Sequence, residues 1–378
     1  MNFELSDEQR LLSDAARRFV ADRYDMAQRR RSMTDARGYS PEVWGTFAEL
    51  GWLGVPLSEE VGGFGGGPVD LMVLMEALGR GVVIEPYLAN VVLAGGLLAR
   101  AGGDVANGLL ERMIAGETQL ALAYAEPQAR FDLNDVRTRA VRQGNGWRID
   151  GGKSMVLNAR AADTFIVICR TTGDQRDNTG LSAFAVPASA ESLRVRPYHN
   201  NDGTSSGNVE LNGVVVDGSA LIGAADGALP WLAQVIDMAA FAECANAVGA
   251  MEWTVDNTVS YLKTRVQFGK PLSVFQTLQH RLVDMYIAME EMRSLTMAAA
   301  LSFEMDEAEN RKAVSAARVH LGTVGKKFGE EAIQMHGGIG MTDEFPVGNY
   351  YKRILAAGTL FGSGDHHLGR LGDLIAAG

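Results

Sequence analysis

Arg265 and Phe268 are two side chains that could together hold a phosphorylated ligand. They stand three residues apart, and Gly269 and Pro271 follow them. Because glycine and proline end helices, we predict that Arg265 and Phe268 lie at the end of a helix with both side chains on one side. Arginine suits a pyrophosphate because its planar fork donates paired hydrogen bonds, and Phe268 offers an apolar surface. Taken by itself, Arg265 also fits a solvated cation at a helix end.

A second segment, Gln334-Met335-His336-Gly337-Gly338, could approach the same kind of ligand. The two glycines have no Cβ, so a dinucleotide could pass close to their backbone. They also suit a plain helix stop. Gln276, which follows the Arg265 segment, can both donate and accept a hydrogen bond. Residues of these types are compatible with a bound nucleotide.

Neither the histidines nor the cysteines predict a metal centre. His366 and His367 are adjacent, so on a helix they point to different faces, and no further ligand cluster is near them. Cys169 and Cys244 are the only cysteines, and they are far apart in the sequence. Two such thiols make neither a disulfide framework nor a metal site, and they fit a reducing cytoplasm.

The charge and hydropathy patterns exclude two classes of partner. The formal net charge of −11 would repel a polyanion, so we expect no nucleic-acid binding. The longest apolar stretches, such as residues 91–98, are too short to span a membrane, and the first residues show no signal-peptide pattern. We therefore expect a cytoplasmic protein without membrane insertion.

The period of the apolar residues divides the 378-residue chain into three predicted domains. Residues 1–117 have a helical period and begin with a capping box at Ser6 and Gln9. Residues 118–225 have a strand-like pattern. Residues 226–378 return to the helical period, with long amphipathic segments at 229–264, 275–305 and 308–334. The predicted class is α+β, with an N-terminal helical domain, a middle β domain and a C-terminal bundle of the four-helix type.

The middle domain is predicted to be antiparallel. Gly144-Asn145-Gly146 separates two strand-like runs and is a strong hairpin signal. Further runs at residues 120–124, 164–169, 181–186 and 209–216 also read as strands. Because no helical period interrupts them, antiparallel pairing is favoured over parallel units with crossover helices.

This succession of domains resembles the acyl-CoA dehydrogenase family, and three motifs support the resemblance. They lie at residues 51–65, at RVQFGKPL (265–272) and at QMHGGIGM (334–341). The resemblance implies FAD as cofactor, an acyl-CoA thioester as substrate, α,β-desaturation as in fatty-acid β-oxidation, and an electron-transferring flavoprotein as electron acceptor. It also implies a set of residues that contact FAD: Arg265, Phe268, Gln276, Gln334, His336, Gly337 and Gly338.

The catalytic base that the resemblance implies is missing. In much of the family a glutamate in a Tyr-Glu-Gly-Thr motif removes the proton next to the thioester. Phe361 stands at the matching position here. Some relatives place the base on the first long helix of the bundle, at a position that aligns with Ala239. Neither side chain can accept a proton.

Other family residues of the same pocket are also replaced. An arginine that helps to hold the substrate aligns with Ala240, which leaves only its companion Asp237. The Thr-Glu-Pro-Gly-Ala-Gly-Ser-Asp loop against the flavin reads AEPQARFD at residues 125–132, and the Trp-Ile-Thr strand reads MVL at residues 155–157. The hydroxyl donors to the flavin edge are therefore absent from both segments.

In dimers of the family, one chain supplies the flavin ring pocket and the base, while its neighbour lends the Arg-Phe-Gln and Gln-Gly-Gly elements. This chain keeps the lent elements and departs from the receiving ones. It is similar to the small subunits of heteromeric pimeloyl-CoA and steroid side-chain acyl-CoA dehydrogenases. The resulting hypothesis is that it completes the FAD site of a second, catalytically intact subunit.

The alternative is a self-sufficient homo-oligomeric dehydrogenase whose base has moved. Asp365 lies four residues after Phe361, and Glu243 lies four residues after Ala239, one helical turn along the same face. Asp365 equally suits a helix N-cap, because a helical pattern follows it. Glu243, in an apolar segment, equally suits a buried structural carboxylate.

Overall fold

The computed structural model describes residues 4–376, and its contacts group into two units. The helical unit comprises Met1–Arg30, Pro68–Val83 and Ala240–Gly378. The sheet unit comprises Arg31–Gly67 and Ile84–Ala239. Each unit therefore combines segments that are distant in the sequence.

The helices begin and end largely where the apolar period predicts. The three long C-terminal segments form α7, α8 and α9, and two shorter helices follow them. A π-helix, Leu88–Gly95, precedes α5. The helices are α1 (Asp7–Arg23), α2 (Met26–Thr34), α3 (Pro41–Glu49), α4 (Pro68–Arg80), α5 (Gly96–Ala101), α6 (Asp104–Ile114), α7 (Ala228–Thr264), α8 (Gln276–Ser302), α9 (Glu307–His336), α10 (Val347–Thr359) and α11 (Gly364–Ala376).

The predicted capping box at the start of α1 is present. The Ser6 hydroxyl accepts a hydrogen bond from the backbone N–H of Gln9 at 3.2 Å. The Gln9 side chain accepts one in return from the backbone N–H of Ser6 at 3.0 Å. Two backbone donors that the helix itself cannot satisfy are thus paired by two side chains, which fixes where the helix begins.

Within the helical unit, α4 and α7 pack at very short range. A Cβ placed on Gly79 would lie 1.9 Å from the carbonyl oxygen of Asn246, and one on Gly249 would lie 1.8 Å from that of Glu76. Only glycine fits at both positions. On α7, residues 239–242 are fully buried.

The sheet unit carries one eight-stranded sheet with the order β6-β7-β3-β2-β4-β5-β8, and β1 pairs with β4. The predicted hairpin is confirmed, because β2 and β3 pair antiparallel with Gln143 opposite Gly146 and only two residues between them. The strands are β1 (Leu120–Ala123), β2 (Arg139–Gln143), β3 (Gly146–Leu157), β4 (Thr164–Arg170), β5 (Leu181–Pro187), β6 (Leu193–His199), β7 (Ser205–Val216) and β8 (Leu221–Ile222).

The prediction of antiparallel pairing was wrong for two strand pairs. Strands β2 and β4 meet in parallel, with Arg139 opposite Arg170. β1 pairs parallel with β4, with Leu120 opposite Thr164. A parallel pair needs a long connection, and the intervening residues, which include β2 and β3, supply it without a helix. Strand β6, which the alternation of residues did not reveal, pairs antiparallel with β7.

Candidate functional site

The Arg265 segment forms a hairpin rather than a helix end. Helix α7 ends at Thr264, and the strands β9 (Val266–Gln267) and β10 (Lys270–Pro271) then pair antiparallel. The two turn residues, Phe268 and Gly269, have φ angles of 53° and 76°. Two positive φ values in a two-residue turn are the geometry that closes tight hairpins. The prediction that Arg265 and Phe268 share a helix end was therefore wrong, because the turn places Phe268 at a hairpin tip.

The tip of this hairpin is an aromatic ring in solvent. Phe268 is 87% exposed. A bulky side chain at positive φ is uncommon and costs conformational energy, so this residue combines an exposed apolar surface with local strain. Its ring meets Phe275 edge-on at 6.0 Å, and the Lys270 ammonium lies 4.7 Å from the centre of the Phe275 ring. The hairpin is thus a small ordered element whose apolar end points away from its own core.

Three of the polar side chains predicted to contact the ligand are exposed and have no hydrogen-bonding partner among residues 4–376. The side chains of Arg265, Gln276 and Gln334 make no hydrogen bond or ion pair within residues 4–376. Arg265 is held only through its backbone, whose carbonyl accepts from the N–H of Leu272 at 2.9 Å. Gln276 is the first residue of α8, and Gln334 lies in the last turn of α9. All three remain available to a ligand.

The glycine pair follows directly at the end of α9. Gly337 terminates the helix with φ 65°. Within the part of the chain that the structure describes, a Cβ placed on Gly337 or Gly338 would meet no non-neighbouring heavy atom within 4 Å. The space above this backbone is therefore open. The helix-stop reading and the open-backbone reading of the sequence both apply.

The His336 side chain, by contrast, is turned into the protein. It is buried, and its Nδ1–H donates to the carbonyl oxygen of Ala332 at 2.8 Å. Burial lowers its pKa, although that hydrogen bond acts in the opposite direction. Its ring contacts those of Tyr261 and Phe345, with centroid distances of 4.6 and 4.7 Å, and these two rings also contact each other at 5.8 Å. Any ligand contact of His336 would therefore involve its backbone.

Tyr261 is a residue that the sequence reasoning missed. Its hydroxyl donates to the carbonyl oxygen of His336 at 3.1 Å and so connects the α7 segment to the glycine turn. The available signal was its position four residues before Arg265, one turn earlier on the same helix. Local sequence could not show that its partner lies far along the chain.

The position of the missing base is occupied by a buried ring in a fixed turn. Phe361 is 8% exposed and has φ 60°. Its carbonyl oxygen accepts a hydrogen bond of 3.0 Å from Nε2–H of His367, which is also buried. Burial, followed by the nearby Arg318 charge, lowers the pKa of His367 to about 3, so this imidazole is neutral at physiological pH. The turn presents no proton acceptor from its own side chain.

The two displaced-base candidates lie in different surroundings. Asp365 is exposed in the first turn of α11, and the Ser363 hydroxyl accepts from the N–H of His366 at 3.2 Å. Ser363 therefore makes the capping contact that the sequence assigned to Asp365, because the helix begins earlier than predicted. Glu243 is buried on α7, beside Cys244. Asp237 is also buried on this helix.

In the sheet unit, the 125–132 loop is held by one carboxylate. Glu126 accepts hydrogen bonds from Lys153 Nζ at 2.6 Å and from the N–H groups of Arg137 and Thr138 at 2.8 and 3.0 Å. Burial alone would raise the pKa of Glu126, but the Lys153 charge and these hydrogen bonds lower it to about 2. The loop is thus ordered although its sequence lacks hydroxyl side chains.

The side chains that this loop and its neighbouring strand present are large. Arg130 has φ 50°, and Phe131 beside it is 39% exposed. Met155, on β3, has φ 52° and is 50% exposed. It lies where the pairing of β3 with β7 shifts register. These segments offer apolar surface, but no side-chain hydroxyl, to a polar ligand edge.

Residues 4–376 contain neither a metal-binding cluster nor a membrane-spanning helix. No group of three or more histidine, cysteine, aspartate or glutamate side chains could hold a metal ion there. Over the same residues, no helix is long and apolar enough to cross a membrane.

Comparisons with known proteins cover nearly the whole chain. The family models for the acyl-CoA dehydrogenase N-terminal, middle and C-terminal domains match residues 6–117, 121–214 and 229–375. The acyl-CoA dehydrogenase FadE27 of Mycobacterium tuberculosis is 27% identical over 346 residues, which is 89% of each chain.

Solved structures extend the similarity to the fold. A variant of the Tcur3481–Tcur3483 steroid ACAD is 30% identical, with a TM-score of 0.86 over 98% of both chains. The ChsE4–ChsE5 complex from Mycobacterium tuberculosis is 25% identical, with a TM-score of 0.89 over 100% of both chains. The matches to all three domain models, in their order along the sequence, show that this chain belongs to the acyl-CoA dehydrogenase family.

Proposed function

We propose that this chain is the non-catalytic, small subunit of a heteromeric acyl-CoA dehydrogenase, and that it completes the FAD site of a catalytic partner subunit. The observation that carries the proposal is the hairpin tip. Phe268 is 87% exposed at positive φ, beside an Arg265 side chain without an ion pair in residues 4–376. A strained backbone and an exposed aromatic ring both cost free energy, and this cost is offset only if another molecule covers the hairpin tip.

FAD fits the donors that this surface offers. Arg265 would pair with the pyrophosphate, Gln276 and Gln334 would hydrogen-bond to polar groups of the nucleotide, and Phe268 would cover its apolar surface. The open backbone at Gly337 and Gly338 would admit the dinucleotide at close range. When bound, FAD would supply hydride acceptance from the β carbon of the acyl thioester.

The chain's own base position argues for a partner. A side chain must remove the α proton, and phenylalanine at position 361 cannot. The buried turn around Phe361 offers no replacement, since His367 is engaged through Nε2 and its pKa is about 3. The proton would therefore pass to a carboxylate of the partner subunit. An electron-transferring flavoprotein would then accept the electrons.

Two of the similar structures are named for a pair of proteins, Tcur3481–Tcur3483 and ChsE4–ChsE5. These paired names support an assembly of two different chains. The Tcur3481–Tcur3483 protein is described as a steroid ACAD. A steroid side-chain thioester is thus one substrate class to test beside straight-chain and dicarboxylyl thioesters.

The test is to purify the chain alone and together with a second acyl-CoA dehydrogenase chain that carries the catalytic glutamate. Flavin absorbance per chain and the mass in solution are measured for both preparations. We expect little flavin on the chain alone and one flavin per pair of chains in the complex. Arg265→Ala should remove that flavin, whereas Arg112→Ala, an exposed arginine on α6, should not.

A homo-oligomer that carries one flavin per chain and is reduced by an acyl-CoA would contradict the proposal. The alternative of a displaced base would then apply. Asp365→Asn and Glu243→Gln in that homo-oligomer would identify which carboxylate takes the proton, because the loss of the base should abolish flavin reduction while flavin remains bound.

A further inference from the structure

The carbonyl oxygen of His336 is at the C-terminal end of α9, where the helix provides no donor for it. The hydroxyl of Tyr261 donates to this oxygen at 3.1 Å. Tyr261 is in the last turns of α7, so one hydrogen bond connects two segments that lie 75 residues apart. The bond is made at the residue that immediately precedes the glycine pair.

The ring of Tyr261 adds a second contact to the same residue. It lies 4.6 Å from the His336 ring, the Phe345 ring lies 4.7 Å from the same imidazole, and the Tyr261 and Phe345 rings are themselves 5.8 Å apart. The Nδ1–H of His336 donates to Ala332 O, which fixes the orientation of the imidazole. The start of the glycine turn is therefore held by an aromatic cluster of Tyr261, His336 and Phe345.

Tyr261 is also joined directly to the hairpin segment. Its backbone carbonyl accepts from the N–H of Arg265 at 2.8 Å, across the last turn of α7. The same residue thus contacts Arg265 through its backbone and, through its side chain, His336, which directly precedes the Gly337-Gly338 turn.

From this geometry we infer that Tyr261 is a positioning residue, which sets the glycine turn at the correct distance from Arg265 for one dinucleotide to contact both. The inference rests on the proposed function, because it assigns Tyr261 to the nucleotide end of the FAD site. Tyr261 would not itself contact FAD. It acts through His336 and the backbone that follows.

The test compares Tyr261→Phe, which removes only the hydroxyl, with Tyr198→Phe, a matched control on β6 in the sheet unit. Hydrogen–deuterium exchange is measured on the purified full-length chain, without any partner. We expect faster exchange of the amides of residues 337–341 in Tyr261→Phe, and no change at those amides in Tyr198→Phe. In the flavin-containing assembly, the FAD dissociation constant should rise about two- to tenfold, the effect of one net hydrogen bond.

A double-mutant cycle with Gly338→Ala separates positioning from general stability. Gly338→Ala should itself obstruct the nucleotide, so adding Tyr261→Phe should cost less there than in the unmodified chain. Unchanged exchange at residues 337–341 would overturn the inference. So would faster exchange spread over all of α7 and α9 together with a lower melting temperature. If no assembly of the chain binds FAD, the proposed function fails, while the exchange measurement still decides whether Tyr261 orders the turn.

Discussion

The guanidinium of Arg318 donates hydrogen bonds to the carbonyl oxygens on both sides of Phe361, those of Leu360 and Gly362. A third hydrogen bond reaches the carbonyl oxygen of Ala357 at the end of α10. Arg318 is fully buried on α9. A phenylalanine at φ 60° needs support from its surroundings, and here a charged group on another helix provides it. Arg318 therefore stabilises the turn in which Phe361 occupies the position of the family's catalytic base.

Replacing Arg318 by methionine should destabilise the chain strongly. The substitution leaves the buried carbonyl oxygens of Ala357 and Gly362 and the partly buried one of Leu360 without this donor, and each unsatisfied buried group costs about 1–3 kcal/mol. We expect the free energy of unfolding, measured by urea denaturation, to fall by about 3 kcal/mol or more. Arg265→Met is the matched control, because that arginine is exposed and should change the free energy by less than about 0.5 kcal/mol. Similar losses for the two variants would refute this account of the turn.

Gly338→Ala should separate ligand binding from stability. A Cβ on Gly338 meets no non-neighbouring heavy atom within 4 Å in residues 4–376, so the melting temperature should stay unchanged. The same methyl group would obstruct a dinucleotide, and we expect FAD affinity in the assembly to fall about tenfold or more, measured by flavin retention on dilution.

Gly340→Ala, in the same turn, should differ from Gly338→Ala in its effect on stability. Its Cβ would lie 2.9 Å from the carbonyl oxygen of Ile333, so it should lower the melting temperature. If Gly338→Ala binds FAD normally, the proposed approach of the nucleotide to this backbone is wrong.

Glu76 should make stability depend on pH near neutrality. Burial raises its pKa to about 7, against the opposing charges of Arg293 and Arg17, with Glu252 and Glu290 adding to the rise. Because the pKa in the folded state exceeds the ordinary value of 4.5, the contribution to stability is fully present below about pH 4.5 and is lost as the pH rises through 7. The full effect is about 3 kcal/mol.

Glu76→Gln removes this titration. The free energy of unfolding of the variant, relative to that of the unmodified chain, should therefore increase as the pH rises from about 5 to about 8.5. Urea denaturation of both proteins across this range measures the difference. A constant difference between the two would show that Glu76 stays in one protonation state throughout.

Lys153→Met should unfold the sheet unit more readily by leaving Glu126 as a buried charge. Both side chains of this pair are almost completely buried, and breaking one partner of such a pair typically costs 3–5 kcal/mol, so we expect about that loss. Adding Glu126→Gln should recover part of it. Arg148→Met breaks a comparable pair with Asp150 on the surface and should cost less than about 1 kcal/mol. Equal losses for the buried and surface variants would contradict the burial argument.

Features that depend on neighbouring residues could be predicted from the sequence. The Ser6–Gln9 capping box, the two-residue hairpin at Gly144 and Asn145 and the long helices α7, α8 and α9 all follow from local side-chain chemistry and apolar period. The absence of a carboxylate at Phe361 is likewise a property of the sequence, because no packing can turn a phenyl ring into a proton acceptor. The family relationship was also predictable, since its motifs are short and contiguous.

Only the tertiary structure decided which distant groups meet. The pairing of Tyr261 with His336, the support of Phe361 by Arg318 and the parallel pairing of β1 with β4 join residues that lie far apart along the chain. The hairpin at Phe268 was also hidden, because Gly269 and Pro271 end a helix in either case and only backbone pairing distinguishes a turn from a simple stop. Local patterns report propensity, whereas long-range contacts depend on how the whole chain packs, and no single segment of the sequence contains that information.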